Sequence, residues 1–228
     1  MIWGIIAALE EELALIKAHM QLQKSEEAYG AAYHCGSVGG QQVVAVRCSI
    51  GTVNAAACAS VLVQRFGAQV IINTGIAGSL CRELSMLDIV IADDLIFHDA
   101  DLDIMEKYYP FRRSFPTDPV LRELARQAIH SLDAPPRYKV GRIASGDVFV
   151  SDEALKDSIA RRCDPLCVEM EGAAIAQVAF MSGIPCLVIR ALSDNADEDA
   201  EESYDNLIEL AADNSARILL AMLSLAEE

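Results

Sequence analysis

Apolar and polar positions along the 228 residues form short apolar runs separated by segments of helical period. Ile2–Ala8, Val70–Asn73, Leu87–Phe97, Tyr138–Ala144, Leu166–Val168 and Pro185–Leu192 read as strands. Most are continuous rather than alternating, which predicts that both faces are covered. Helices are predicted from Glu10 to about Met20, over Gly51–Phe66, over Asp118–Leu132, from a Ser151 cap to about Arg162, and over Met170–Met181. In a last helix Leu207, Leu210, Ala211, Ile218, Met222 and Leu225 share a face. Ala31–Cys35 and Gln42–Cys48 read as a hairpin turning through Gly36–Gly40. Gly75–Gly78 reads as a glycine turn, and residues 99–116 as a loop with exposed aromatics, a candidate contact surface. Strands alternating with helices predict one α/β domain over residues 1–228 with a mixed, largely parallel sheet.

Composition narrows the partners. With 18 basic and 34 acidic residues the formal net charge is -16, so phosphate backbones and anionic membranes would be repelled. No apolar run reaches membrane-spanning length, and the N-terminus lacks the basic and apolar regions of a secretory signal. The seven cysteines are odd in number, form no CxxC pair and lie mostly in apolar runs. Reduced, buried thiols and a cytoplasmic location follow as expectations.

Candidate chemistry collects at strand ends. Glu10–Glu12 follow the first strand, Gly75–Ser79 the Val70 strand and Glu169-Met170-Glu171 the Leu166 strand. Arg190, Ser193 and Asp194 close the Pro185 run. Ligands of open α/β sheets bind outside the carboxyl ends of strands, and several ionisable groups on one rim are the pattern of a catalytic site. Taken alone, the Arg190 and Asp194 pair also fits a structural ion pair.

Ile5-Ile-Ala-Ala-Leu-Glu-Glu-Glu12, Ser49-Ile-Gly51, Asn73-Thr-Gly-Ile-Ala-Gly78, His98-Asp-Ala-Asp101, Ser145-Gly-Asp-Val-Phe149, Val168-Glu-Met-Glu171 and Arg190-Ala-Leu-Ser-Asp194 occur in this order. Together they resemble the motifs of the 5'-methylthioadenosine/S-adenosylhomocysteine nucleosidase family of the nucleoside phosphorylase superfamily. The resemblance implies a three-layer α/β/α fold, a homodimer, no cofactor and no metal, and hydrolysis of the bond between adenine and a 5'-thioribose. It assigns Asp194 as the acid that protonates N7 of the base. An ordinary aspartic acid titrates near pH 3.9, and keeping it protonated at neutrality takes about 4 kcal/mol. Glu12 becomes the base that orients water at C1', Glu171 the acceptor of the ribose hydroxyls, and Arg190 a partner of Glu171 or Glu12. Phe149 would stack on adenine while the Val150 backbone reads its edge. Ala77, Gly78 and Ser193 would line the base site, Met170 would pack under the ribose, and Glu169 counts among the substrate contacts. Leu9, Ile50 and Tyr204 would meet the 5'-substituent, with Leu102 and Met105 reaching in from a partner subunit.

Three positions depart from the pattern. Ile76 stands where a serine commonly helps hold the water. The segment after Asp101 lacks the usual Phe-Gly-Tyr and Gly-Gln features. Tyr204 replaces a phenylalanine. Competing readings are a hydrolase for another 5'-modified nucleoside, of aminofutalosine or 5'-deoxyadenosine type, a phosphorylase, and a non-catalytic nucleoside-binding protein. A phosphorylase needs a cationic or amide-rich phosphate cradle, and Arg190 is the one obvious cation on the rim.

Overall fold

The computed structural model describes residues 1–196 and 200–226 and, over residues 200–206, the backbone alone. In chain order the elements are β1 (Ile2–Ala7), α1 (Glu10–His19), β2 (Gln21–Ala28), β3 (Ala31–Val38), β4 (Gln41–Arg47), α2 (Thr52–Gln64), β5 (Val70–Ser79), β6 (Ile89–Phe97), α3 (Leu102–Lys107), β7 (Ser114–Pro116), α4 (Pro119–Ser131), β8 (Tyr138–Ser145), α5 (Glu153–Cys163), β9 (Cys167–Glu169), α6 (Gly172–Ser182), β10 (Cys186–Asp194) and α7 (Ala200–Leu225).

The ten strands form one sheet in the order β10-β6-β8-β9-β5-β1-β4-β3-β2, with β7 on β6. β10 also pairs with β5, so β10, β6, β8, β9 and β5 close into a ring from which β1, β4, β3 and β2 extend. Among the described residues, five of the ten pairings are parallel. The sheet is therefore mixed in equal parts, not largely parallel, because the β2–β3–β4 meander and the short β7 and β9 each add antiparallel ladders.

The apolar runs form strands because alternate residues face two cores. Ile6, Val46, Ile71, Val90 and Val188 pack with Ala59 and Leu62 of α2 and Ile175 and Ala179 of α6. Ile5, Ala45, Ile72, Ile91 and Ile189 pack with Leu13 and Ile16 of α1, Ala125 and Ile129 of α4 and Leu219 and Met222 of α7. At about 25 cal/mol per Å² of apolar area removed from water, such two-sided burial dominates the stabilisation of the sheet.

Several local expectations are corrected. Residues 75–78 continue β5 as a strand, paired along β10 from Gly75 to Gly78, and make no turn. β3 runs through Gly36 and Ser37, and the hairpin turns at Gly39-Gly40, both at positive φ, which suits the twist of two-residue hairpin loops. β2 shows no apolar alternation because it is a mostly exposed strand on the sheet's outer edge. The α5 N-cap is Asp152, whose carboxylate accepts the Ala154 and Leu155 N–H groups; Ser151 lies one residue outside. Residues 99–116 contain α3 and β7. Phe115 is fully buried there, while Tyr108, Tyr109 and Phe111 are exposed as expected. On α7, Ala211, Ile218 and Met222 are buried, but Leu210 and Leu225 lie off the packed face. No described helix is long and apolar enough to cross a membrane.

Candidate active site

The carboxyl ends of β1, β5, β9 and β10 surround a cavity of about 470 Å³. Its lining includes Leu9, Glu12, Ile50, Ile76, Ala77, Gly78, Phe149, Glu169, Met170, Glu171, Ser193 and Asp194, all singled out from the sequence, together with Ala8 and Val168, which were not. A smaller cavity of about 30 Å³ shares Gly78, Phe149 and Asp194 with it and adds Val150. Arg190 lies behind the lining. Leu102 and Met105 pack within their own chain beside Ile96 and Val150. Tyr204 falls outside the described side chains.

Glu12 is placed by its own helix. It is the third residue of α1, and its Oε2 reaches back to accept the N–H groups of Ala8 (2.8 Å) and Leu9 (2.9 Å). Oε1 accepts the Ile76 N–H at 3.0 Å, which ties α1 to β5. Burial pushes its carboxyl up from the ordinary range, opposed by Arg190 and by these three N–H groups. A carboxylate has about four acceptor sites, so three donors leave room for one more.

The glycines of β5 explain why this strand is so poor in side chains. A Cβ on Gly75 would fall 2.5 Å from Glu12 Oε1, and one on Gly78 2.6 Å from Asp194 Oδ1. Both carboxyl groups lie directly on bare backbone. Asp194 ends β10; its Oδ1 accepts the Ala196 N–H at 2.8 Å and its Oδ2 lies 2.7 Å from Ser193 Oγ. Ala196 adopts φ 51, which turns the chain back over the carboxyl.

Arg190 is 2 % exposed and reaches inward from β10. Its Nη2 donates to Glu169 Oε2 and to Asn73 Oδ1, both at 2.5 Å, while Glu171 Oε2 is 3.8 Å away. The principal partner of Arg190 is thus Glu169, and the expected pairing with Glu171 or Glu12 is secondary. Glu169 is saturated: besides Arg190 it accepts Ser145 Oγ–H and the N–H groups of Glu171 (3.0 Å) and Gly172 (2.7 Å), capping α6. Ser145 Oγ accepts the Ala173 N–H at 2.8 Å. Ser145 and Asn73 carry this frame without having been assigned roles from the sequence. Asn73 inside the apolar β5 run and Ser145 closing β8 were the available signals.

Glu171 faces the cavity from the start of α6. Its Oε1 accepts the Gly51 N–H at 2.9 Å from the start of α2. Burial and the neighbouring Glu169 push its carboxyl up to about 8, against Arg190 and the Gly51 N–H. Such a group penalises the folded state when ionised. The penalty is absent below the ordinary unfolded value near 4.5 and complete above about 8. Stability should therefore fall between pH 6 and pH 8 by on the order of 2 kcal/mol. Urea midpoints across this range would show it, and Glu171→Gln should flatten the slope.

A model of the phosphorylase superfamily matches residues 3–224. The chain is 36% identical over 229 residues to the 5'-methylthioadenosine/S-adenosylhomocysteine nucleosidase of Geobacillus thermodenitrificans, covering 98% of this chain and 97% of that one. A solved structure of the S. pneumoniae enzyme of that name, with a transition-state inhibitor, superposes with a TM-score of 0.91 at 36% identity, covering 98% of this chain and 99% of the other. Helicobacter pylori futalosine hydrolase superposes with a TM-score of 0.92 at 31% identity, covering 99% and 98%. A cleft of paired acids at strand ends and the family match define a nucleoside-cleaving α/β protein of the phosphorylase superfamily. Within it, the chain belongs to the 5'-methylthioadenosine/S-adenosylhomocysteine nucleosidase family.

Proposed function

We propose that this protein hydrolyses the N-glycosidic bond of 5'-methylthioadenosine and S-adenosylhomocysteine, releasing adenine and a 5'-thioribose. The observation that carries hydrolysis over phosphorolysis is the charge of the cavity wall. Glu12, Glu169, Glu171 and Asp194 line it, and no Lys, Arg or His does among the described residues. Phosphate would meet carboxylates, whereas water needs only an acceptor and a route.

The assignments follow from that wall. Breaking the bond leaves a neutral base and an oxocarbenium-like ribose. Asp194 gives a proton to N7 of adenine held between Phe149 and the Ala77–Gly78 strand. The Ser193 hydroxyl can donate to the Asp194 carboxylate or accept from its protonated form, so the contact survives both states. Glu171 accepts the ribose hydroxyls, and in its ionised form it favours the developing cation. Met170 packs under the ribose. Glu12, with one acceptor site left, orients the water at C1'. Glu169 and Arg190 act through Glu171 by holding the start of α6. Leu9 and Ile50 meet the 5'-substituent. Where a serine is usual, Ile76 offers its backbone N–H to Glu12 and an apolar side chain to the cavity.

Two copies pairing with the 99–116 segment near the partner's cavity suit the exposed Ile104, Tyr108, Tyr109 and Phe111. The three-layer arrangement, a cytoplasmic location and the absence of a cofactor belong to the same reading. The H. pylori similarity favours a futalosine-type nucleoside as second substrate. Adenine release from methylthioadenosine, S-adenosylhomocysteine, 5'-deoxyadenosine and aminofutalosine, with and without phosphate, tests the proposal. Turnover of the first two without phosphate is expected, and phosphate-dependent turnover would overturn it.

A further inference from the structure

α2 starts without a cap of its own. Gly51 precedes it with no side chain, and its first turn holds no acidic residue. Four N–H groups at a helix start need acceptors, and here two come from distant carboxylates. Glu171 Oε1 takes the Gly51 N–H, and Asp147, 95 residues along the chain, takes the Thr52 N–H (2.7 Å) and the Thr52 hydroxyl (2.6 Å). The Asp147 N–H in turn donates to Asp99 Oδ2 at 2.8 Å beyond the end of β6. Asp147 thus joins three pieces: the start of α2, the end of β6, and the 145–149 loop that presents Phe149. It does not itself line the cavity.

Gly51 sits at φ 106, a conformation open mainly to glycine, and a Cβ there would fall 3.2 Å from Asp147 Oδ1. The two peptide groups flanking Gly51 are thus each held by a carboxylate, the Ile50–Gly51 N–H by Glu171 and the Gly51–Thr52 N–H by Asp147. Without the outer carboxylate, this glycine is free to turn its N–H away from Glu171.

We infer that Asp147 is a positioning residue for the proposed reaction: by clamping Thr52 it aims the Gly51 N–H at Glu171 and fixes the Phe149 loop across the cavity. The clamp bears on the ribose-binding carboxylate and on the base-stacking ring together, so its loss should weaken substrate binding more than it slows the chemical step. The kinetic part of this inference rests on the proposed function; the geometric part does not.

Three variants and two measurements test it. Asp147→Ala removes both bonds to Thr52 and keeps the backbone bond to Asp99. Asp147→Asn keeps an acceptor for the Thr52 N–H and gains a donor for the Thr52 hydroxyl, while removing the charge. Thr52→Val removes only the hydroxyl bond and serves if the alanine variant does not fold. The first readout is the titration of the Glu171 carboxyl by carbon NMR in the ligand-free protein. The charged and titratable groups around it are Glu169, Arg190, Glu12 and Cys48. Losing the Asp147 charge alone should lower the Glu171 midpoint, whereas losing the Gly51 N–H should raise it. We expect a rise in Asp147→Ala, a smaller rise in Thr52→Val and none in Asp147→Asn. The second readout is adenine release, where Asp147→Ala should lose roughly tenfold in kcat/KM, mostly through KM, and Asp147→Asn should recover most of it. Identical Glu171 titrations in the alanine and asparagine variants would overturn the inference. Wild-type protein that turns over no nucleoside would instead sink the functional reading, leaving the titration to decide the clamp.

Discussion

Asp194→Asn should abolish adenine release to within the residual left by binding alone, a loss of about 10² to 10⁴ in kcat, while leaving nucleoside affinity and fold largely intact. The substitution is nearly isosteric, and the site can accept it. Asn Oδ1 can keep the Ala196 N–H, and its amide can donate to Ser193 Oγ, which now lies 2.7 Å from the carboxyl. The space over Gly78 is unchanged, so nothing forces the strand to move. What the amide cannot do is give up a proton to N7. The leaving adenine would then depart as an anion, and that is the step the acid serves. Kinetics with methylthioadenosine, beside the affinity of a non-cleavable analogue, measures the two effects separately. Turnover near the wild-type rate would remove Asp194 from the role of acid. Affinity falling as far as kcat would mean that it mainly binds.

Glu169→Ala is expected to be costly for a different reason. The wild-type carboxylate and the Arg190 guanidinium are each about 2% exposed at the side chain. Removing one member of such a pair leaves the other charge desolvated and unmatched, typically at 3–5 kcal/mol. Arg190 has few other places to turn: Asn73 holds Nη2, and Nε has no partner among the described residues. The same deletion strands the N–H groups of Glu171 and Gly172 at the start of α6 and the Ser145 hydroxyl. Against a total stability of about 5–15 kcal/mol, chemical denaturation at pH 7 should show the variant unfolding at much lower denaturant or not folded at all. A loss below about 1 kcal/mol would mean that Arg190 finds another anion, with Glu171 the nearest candidate.

Much of this site was legible in the chain because its parts sit where apolar runs stop. Glu12 and Glu171 come soon after β1 and β9, and Asp194 closes β10, so finding the runs finds the acids. What hid was set by distance or by the limits of local preference. Gly75 and Gly78 read as a turn because glycine usually breaks strands. Only the Glu12 and Asp194 carboxyl groups, arriving from other elements, show that the bare backbone is room for them. β2 hid because an outer edge strand has no buried face to print an alternation. Glu169 reads as a ligand contact beside Glu171, yet four donors from three elements consume it. The Asp147–Thr52 link spans 95 residues and has no local signature. Ser151 beside Asp152 shows the smaller error: adjacent residues compete for one cap, and the carboxylate takes it.

The closed ring of β10, β6, β8, β9 and β5 sets where this molecule can breathe. In an open sheet an outermost strand peels by breaking one ladder. Here β10, which carries Arg190 at its middle and ends at Asp194, is hydrogen-bonded to β5 on one side and β6 on the other. Opening it locally means giving up both at once, and β5, with β10 and β1 alongside, is held the same way. Opening free energy is thus unevenly spread, highest under the acids and lower in the connecting segments above them. Glu12 of α1, tied to β5 through the Ile76 N–H, Glu169 at the end of β9 and Asp194 at the end of β10 are thereby anchored to the best-protected strands. Binding and release of a nucleoside should therefore leave the spacing of those groups undisturbed.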